Sequence, residues 1–252
     1  TNKVTLPEKN EFIGAYAYKR IGIETKPIVI DNDSIIDLSD QVSKNDQGDY
    51  LLDWTAPDDG DYDIIYYWQV GTAQVSKPAV ETSYCINYFD RRGFEALKEY
   101  WEEHVLCDEE LNAKIKEGDV QLFMDSLEYT TGTGFVNWTE DFAEEFEARK
   151  GYDIRPYLFL AIGLPAPKRV SPPSDVYGTY NLEDANLGQR ILNDLNDVQT
   201  ELYMENLMEP FREWLNSYGI TLRAQISYGK YLENSEPIQS VDYPEAETLN
   251  QE

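Results

Sequence analysis

Apolar and polar positions follow two different rhythms along this 252-residue chain. From residue 12 to about residue 80 the apolar positions come in short runs rich in Ile, Val, Tyr and Trp: "FIGAYAYKRIGIE", "KPIVIDNDSIIDLS", "GDYLLDWTAP" and "DYDIIYYWQVGTAQVS". The runs are broken by "NDQGD" and "PDDGD", whose Asn, Asp and Gly residues favour turns. No helical period is present, so this region is predicted to be a small antiparallel sheet or sandwich. At about Ser83 the rhythm changes. "YCINYF" reads as a strand, and Asp90 can cap a helix in which Phe94, Leu97, Tyr100, Trp101 and Val105 fall near helical spacing. "VQLFMDSLEY" reads as the next strand, and "NWTEDFAEEFEARKGYD" as a helix with Thr139 at its N-cap and Phe142 and Phe146 one turn apart.

Further along, "IRPYLFLAIG" suggests a short helix closed by Gly163, and 164–185 a polar, proline-bearing loop. A long helix is predicted over about 187–218, with Ile191, Leu195, Val198, Leu202 and Leu207 on one side, a bend at Pro210 and an end at Gly219. "ITLRAQISYG" is another strand. The alternation of strand and helix argues for parallel βαβ units. Two regions are therefore expected: 1–82, a β-rich module or barrel insertion, and 83–252, a βα portion.

Composition narrows the partners. Asp and Glu total 48 against 21 Lys and Arg, a formal net charge of −27. Such a surface repels nucleic-acid phosphates and anionic membranes, and it suits neutral substrates such as sugars. Cys85 and Cys107 are too few for a disulfide framework and read as free thiols. No segment approaches the ~18 apolar residues of a membrane span. Neither "TNKVTLPEKNE" nor "PEAETLNQE" reads as a natural terminus, which suggests an excised piece of a larger protein.

In α/β sheets reactive side chains collect at the carboxyl ends of strands. Three predicted strands end in unusual polar content. The first carries Asp125 and Glu128, and the second Arg223, Gln225 and Tyr228. The third, "VDYPEAETL", carries Asp242, Glu245 and Glu247. Arg223 and Gln225 alternate, so they share one face of their strand; buried there without partners they would be costly, whereas recognition of hydroxyl groups would use them. Carboxylates on separate strands supply what glycoside hydrolysis needs, one to protonate the leaving oxygen and one to activate water or attack the sugar. The blander alternatives are that Asp125 and Ser126 cap a turn and that Glu128 pairs with an arginine. Clusters such as "EEFEAR" and "WEEH" read as solvated helix faces, as does His104, the only histidine. There is no CxxC, HExxH, P-loop or GxGxxG pattern, so zinc, ATP and dinucleotide readings lack support. The Asp-rich turns "DNDS" and "PDDGDYD" lack the closing Glu of a calcium loop.

Taken together and in order, "LFMDSLEY", "NWTEDFAEEFEARKGYDIRPYL", "FREWLNSYGITLRAQISYG" and "VDYPEAETL" resemble glycoside hydrolase family 106, the α-L-rhamnosidases. The resemblance runs from about Tyr84 to Leu249 and is vaguer over the first third. It implies a large multidomain enzyme, secreted or at the cell surface or periplasm, with a (β/α)8 TIM-like catalytic barrel. That enzyme would remove terminal α-L-rhamnose from plant or bacterial glycans with inversion, aided by calcium. Carried over by residue, Glu128 matches the general acid, with Asp125 as its support. Glu245 or Glu247 matches the second acidic cluster, around substrate and calcium, and both are catalytic candidates. Arg223, Gln225 and Tyr228 would line the sugar site, with Asp242 in the same segment. The resemblance also implies further strands on both sides and a second catalytic glutamate beyond the "PEAE" segment, so the fold expected is a partial barrel preceded by a small antiparallel β region. The expected state is an interior piece of a larger polypeptide, inactive alone. The rival from another class is a non-catalytic carbohydrate-binding or scaffold piece, holding sugars on Trp138 and tyrosines; a barrel glycosidase of other sugar specificity is the third possibility.

Overall fold

A computed structural model describes residues 2–4, 11–22, 26–75, 83–125, 127, 136–164, 178–226, 232–233 and 235–246. The first strands are β1 (Asn2–Val4), β2 (Glu11–Ile21), β3 (Ile28–Ile30), β4 (Ile36–Asp37), β5 (Val42–Lys44), β6 (Tyr50–Leu52) and β7 (Tyr62–Gln69). β2 pairs antiparallel with β7, β3 and β4, while β6 pairs antiparallel with β1 and β5. β2 is buried on both faces, which explains its sequence. Ala15 and Ala17 pack toward Leu38 and Leu52, while Tyr16 and Tyr18 enter the main core. Small residues meet one layer and large ones the other, so the strand alternates in size rather than in polarity.

After Ser83 come α1 (Arg91–His104), α2 (Glu109–Glu117), β8 (Val120–Met124), α3 (Phe142–Lys150), β9 (Tyr180–Leu182) and α4 (Ala185–Tyr203). A π-helical turn at Met204–Met208 leads into α5 (Glu209–Ser217), followed by β10 (Ile220–Ala224) and β11 (Tyr243–Pro244). β8, β10 and β11 are mutually parallel, with β10 in the middle. The architecture is mixed α/β, as the alternating pattern predicts.

Several local expectations are corrected. No strand forms at 84–89; Tyr84 makes an isolated bridge to Val75, and Asn87 instead shapes a turn by accepting from the Phe89 amide (3.0 Å). Asp90 caps α1 as expected, accepting from the Arg92 amide at 2.8 Å. α2 was not anticipated; Asp108 caps it through the amides of Glu110 and Leu111. The residue flanking α3 is Asp141 rather than Thr139, whose hydroxyl donates to the Asp141 carboxylate at 2.9 Å. The predicted loop 164–185 ends in β9, which pairs parallel with β3. The long helix is interrupted by the π-turn before Pro210, and the proline follows directly in the first turn of α5. Gly219 closes α5 at φ 83°, in the left-handed region that favours glycine.

One continuous core joins the two halves of the chain. Tyr16, Tyr18 and Ile30 from the first half pack in the same cluster as Phe159, Leu160 and Leu182 from the second. Tyr18 also donates its hydroxyl to the Pro156 carbonyl at 3.0 Å. The β3–β9 pair and this shared core both cross position 82.

Candidate functional site

The site is built on the parallel sheet of β8, β10 and β11. On one face Val120, Leu122 and Met124 of β8, with Ile220, Leu222 and Ala224 of β10, pack into the core beneath the helices. The other face carries Gln121 and Phe123 beside Thr221 and Arg223; Phe123 is 48% exposed and Tyr243 of β11 is 52% exposed. Register fixes the strand ends: Ala224 lies opposite Met124 on one side and Pro244 on the other. The next residues are Asp125, Gln225 and Glu245, so three polar side chains from distant parts of the sequence arrive side by side at one carboxyl edge. Two hydrogen bonds extend the ladder there, from the Gln225 amide to Met124 O (3.1 Å) and from the Glu245 amide to Ala224 O (2.9 Å). At the usual spacing between strands, Asp125 and Glu245 stand about 10 Å apart across β10.

Arg223 and Glu245 form an ion pair. The Arg223 Nε donates to Glu245 Oε1 at 2.6 Å, the terminal nitrogen reaches the same oxygen, and the guanidinium lies 5.6 Å from the Phe123 ring centroid. Phe123 and Glu245 thus hold the arginine over the open face, with its side chain 39% exposed. Gln225 is 6% exposed, and its Oε1 has no hydrogen-bond partner among the described residues. Such an acceptor is costly to bury unless something donates to it.

Asp242, placed among the sugar-site candidates by sequence, is engaged with the backbone. Its carboxylate accepts from the Leu222 amide at 2.7 Å, its own amide donates to Leu222 O at 3.1 Å, and the Asn216 side chain donates to it at 3.4 Å. Asp242 therefore fastens β11 to the middle of β10. Trp138 lies just before α3, half-buried, with its ring 4.8 Å from that of Phe142 and its carbonyl accepting from Asn87 Nδ2 at 3.4 Å. Glu128, Tyr228 and Glu247 lie outside the described residues. The Arg223–Glu245 pair was not foreseen, although an arginine and a glutamate at the ends of adjacent strands in a chain so rich in acid offered the signal. Among the described residues no three His, Cys, Asp or Glu side chains converge as a metal site, and Glu245 is already engaged by a cation, Arg223.

The model of glycoside hydrolase family 106, described as alpha-L-rhamnosidase, matches residues 6–170, more than half of the chain. The match includes the β-rich first third and ends before β10. A protein from Formosa agariphila, named "Putative beta-glucuronidase", is 25% identical over 215 residues, covering 81% of this chain and 15% of its own length. The solved structure of a rhamnosidase from Novosphingobium sp. PP1Y shares the fold, with a TM-score of 0.53 at 19% identity over 85% of this chain and 19% of that one. The chain thus spans less than a fifth of either relative.

Proposed function

The chain belongs to glycoside hydrolase family 106, the α-L-rhamnosidases, and on that premise we propose that it forms part of a catalytic (β/α)8 barrel that removes terminal α-L-rhamnose from a glycan with inversion. The observation that carries the proposal is the carboxyl edge of β8, β10 and β11, where Asp125, Gln225 and Glu245 align and the Arg223 guanidinium stands over the exposed face. Parallel strands that deliver carboxylates, an amide and an arginine to one edge are the arrangement in which barrel enzymes work.

In this reading Glu128, three residues beyond Asp125, protonates the glycosidic oxygen, and a second carboxylate across the sugar activates water, at the ~6.5–9.5 Å separation of inverting enzymes. Glu245 is committed to Arg223, so the pair serves to orient sugar hydroxyls, with the Gln225 Oε1 accepting from one of them. Glu247 is then the better candidate in this segment for proton transfer or calcium.

The test is Glu128→Gln in the complete enzyme. Glycans with poor leaving groups should lose at least ~100-fold in kcat/KM, the usual scale of general-acid catalysis, while activated aryl α-L-rhamnosides lose far less. Equal losses on both would overturn the assignment of the acid. An aryl β-glucuronide belongs in the same assay, because one relative bears that name; preference for it would overturn the sugar specificity. The Arg223–Glu245 pair also favours a second reading, a carbohydrate-binding piece in which the carboxylates only hold side chains in place; sugar binding with Glu128→Gln leaving all turnover intact would support it.

A further inference from the structure

The apolar stripe of α4 is interrupted by three buried polar residues: Gln199, 3% exposed, and Thr200 and Tyr203, both 0% exposed. Each holds a segment near the candidate site. Tyr203 donates its hydroxyl to Ile226 O at 2.9 Å, two residues beyond the end of β10. Thr200 accepts from the Glu233 amide at 3.0 Å while donating to Asn196 O at 2.7 Å. Gln199 engages Asn137 with both ends of its amide: Oε1 accepts from Asn137 Nδ2 at 3.3 Å, and Nε2 donates to Asn137 O at 3.4 Å.

Positions 199 and 203 are one helical turn apart, about 6 Å along α4. Tyr203 marks the exit of β10, so Asn137, held by Gln199, is tied to α4 one helical turn before that exit, with Trp138 next to it in the chain. From the other side, Asn87 holds the Trp138 carbonyl, and Arg92 pairs with Glu140 at 2.7 Å. Trp138 is therefore held between the start of α1 and the C-terminal end of α4.

We propose that Gln199 is a positioning residue of the carbohydrate site, fixing through Asn137 the place of Trp138 as a sugar-stacking platform near the exit of β10. The inference rests on the carbohydrate reading above and adds to it a residue on a different helix. A glutamine in the middle of a helix facing the core is destabilising unless its amide is used. Here both amide atoms are spent on the residue beside the aromatic.

The test uses the whole 252-residue chain labelled with fluorotryptophan, the Trp138 resonance being identified by its loss in Trp138→Phe. In Gln199→Leu the Trp138 resonance should shift or broaden while those of Trp54, Trp68, Trp101 and Trp214 stay in place. Any response of Trp138 to added L-rhamnose should weaken by about tenfold in affinity, the equivalent of ~1.4 kcal/mol. In Gln199→Glu the side chain can accept from Asn137 but cannot donate to its carbonyl until protonated. Burial at this position raises a carboxyl above the ordinary glutamate value, so the Trp138 resonance should return toward its native position as the pH falls; a role in packing alone gives no such return. An unmoved Trp138 resonance in Gln199→Leu, or equal movement of all five tryptophans, overturns the proposal. If the unmodified chain does not respond to L-rhamnose, the sugar reading fails separately, because the fluorine shift reports the Gln199–Trp138 connection without any ligand.

Discussion

At Asp242 a side chain completes a backbone ladder. β11 is two residues long, too short to hold itself to β10 by its own amides, and the Asp242 carboxylate supplies an acceptor for the Leu222 N–H. Leu222 is fully buried, so that N–H has no water to turn to. Asp242→Ala is expected to cost about 1–3 kcal/mol, the penalty of an orphaned buried donor, whereas Asp242→Asn keeps an acceptor and costs less. Urea unfolding measures both; a lower midpoint with unchanged slope in the alanine variant alone is the expected result, and equal midpoints would remove Asp242 from this role. The sequence shows Asp242 two residues before a proline in an acidic segment, and that context suggests a ligand. Only the pairing of β10 with β11 reveals that its oxygen is used by the chain. Arg223 teaches the complementary lesson: its alternation with Gln225 is visible in the sequence, while its ion partner, 22 residues away, is a product of parallel register.

At the scale of elements, α1 is held by a close approach that its composition conceals. Gly93 lies in the first turn, and a Cβ there would fall well inside the contact distance of the Asn87 carbonyl oxygen. On an exposed helix Gly→Ala gains about 1 kcal/mol from propensity; here overpacking against backbone, about 1–3 kcal/mol, outweighs it. Gly93→Ala should therefore lower the thermal midpoint, and because Asn87 also holds Trp138, it should disturb the tryptophan spectrum as well. A stabilised variant would contradict the packing. Where the amphipathic period was strong, in α1, α4 and α5, existence and type of element were readable in advance, whereas α3 was read from its capping residues and the Phe142–Phe146 spacing. β9 was missed because three residues of strand give too little period to stand out. The false strand at 84–89 arose because apolar residues that anchor a turn into the core look, in one dimension, like a strand.

At the scale of the molecule, the buried tyrosines make the fold sensitive to alkali. Burial, the largest cause in each case, raises the Tyr16, Tyr18 and Tyr67 hydroxyls above their ordinary value, with Tyr16 pushed up to about 12. The folded protein thus keeps protons that the unfolded chain releases from about pH 10. With fewer protons on the unfolded state, stability falls as pH rises: the contribution is whole below about pH 10 and is lost progressively through about pH 12 for Tyr16. Phenolate absorbance of these residues should appear together with the loss of circular dichroism. Smooth titration of every tyrosine with the fold intact would refute this coupling. Tyr18 and Tyr67, hydrogen-bonded to each other at 2.9 Å, sit where the first sheet meets the short helical turn at Arg155–Ala161, so the alkaline transition should unfold both halves together.

By itself the sequence determined the mixed α/β class, the family, the helices with a strong amphipathic period and the polar ends of three strand-like segments. These depend on short-range spacing and residue type, which a linear chain carries in full. Tertiary structure alone decided the register of β8, β10 and β11 that sets Asp125, Gln225 and Glu245 on one edge. It also decided that Glu245 belongs to Arg223, that Asp242 serves the Leu222 amide, and that Gln199 reaches across 62 residues to Asn137. Each is a partnership between polar groups far apart in sequence. Which partner a buried donor or acceptor finds is set by the packing of the elements that carry it, and no local pattern encodes that choice.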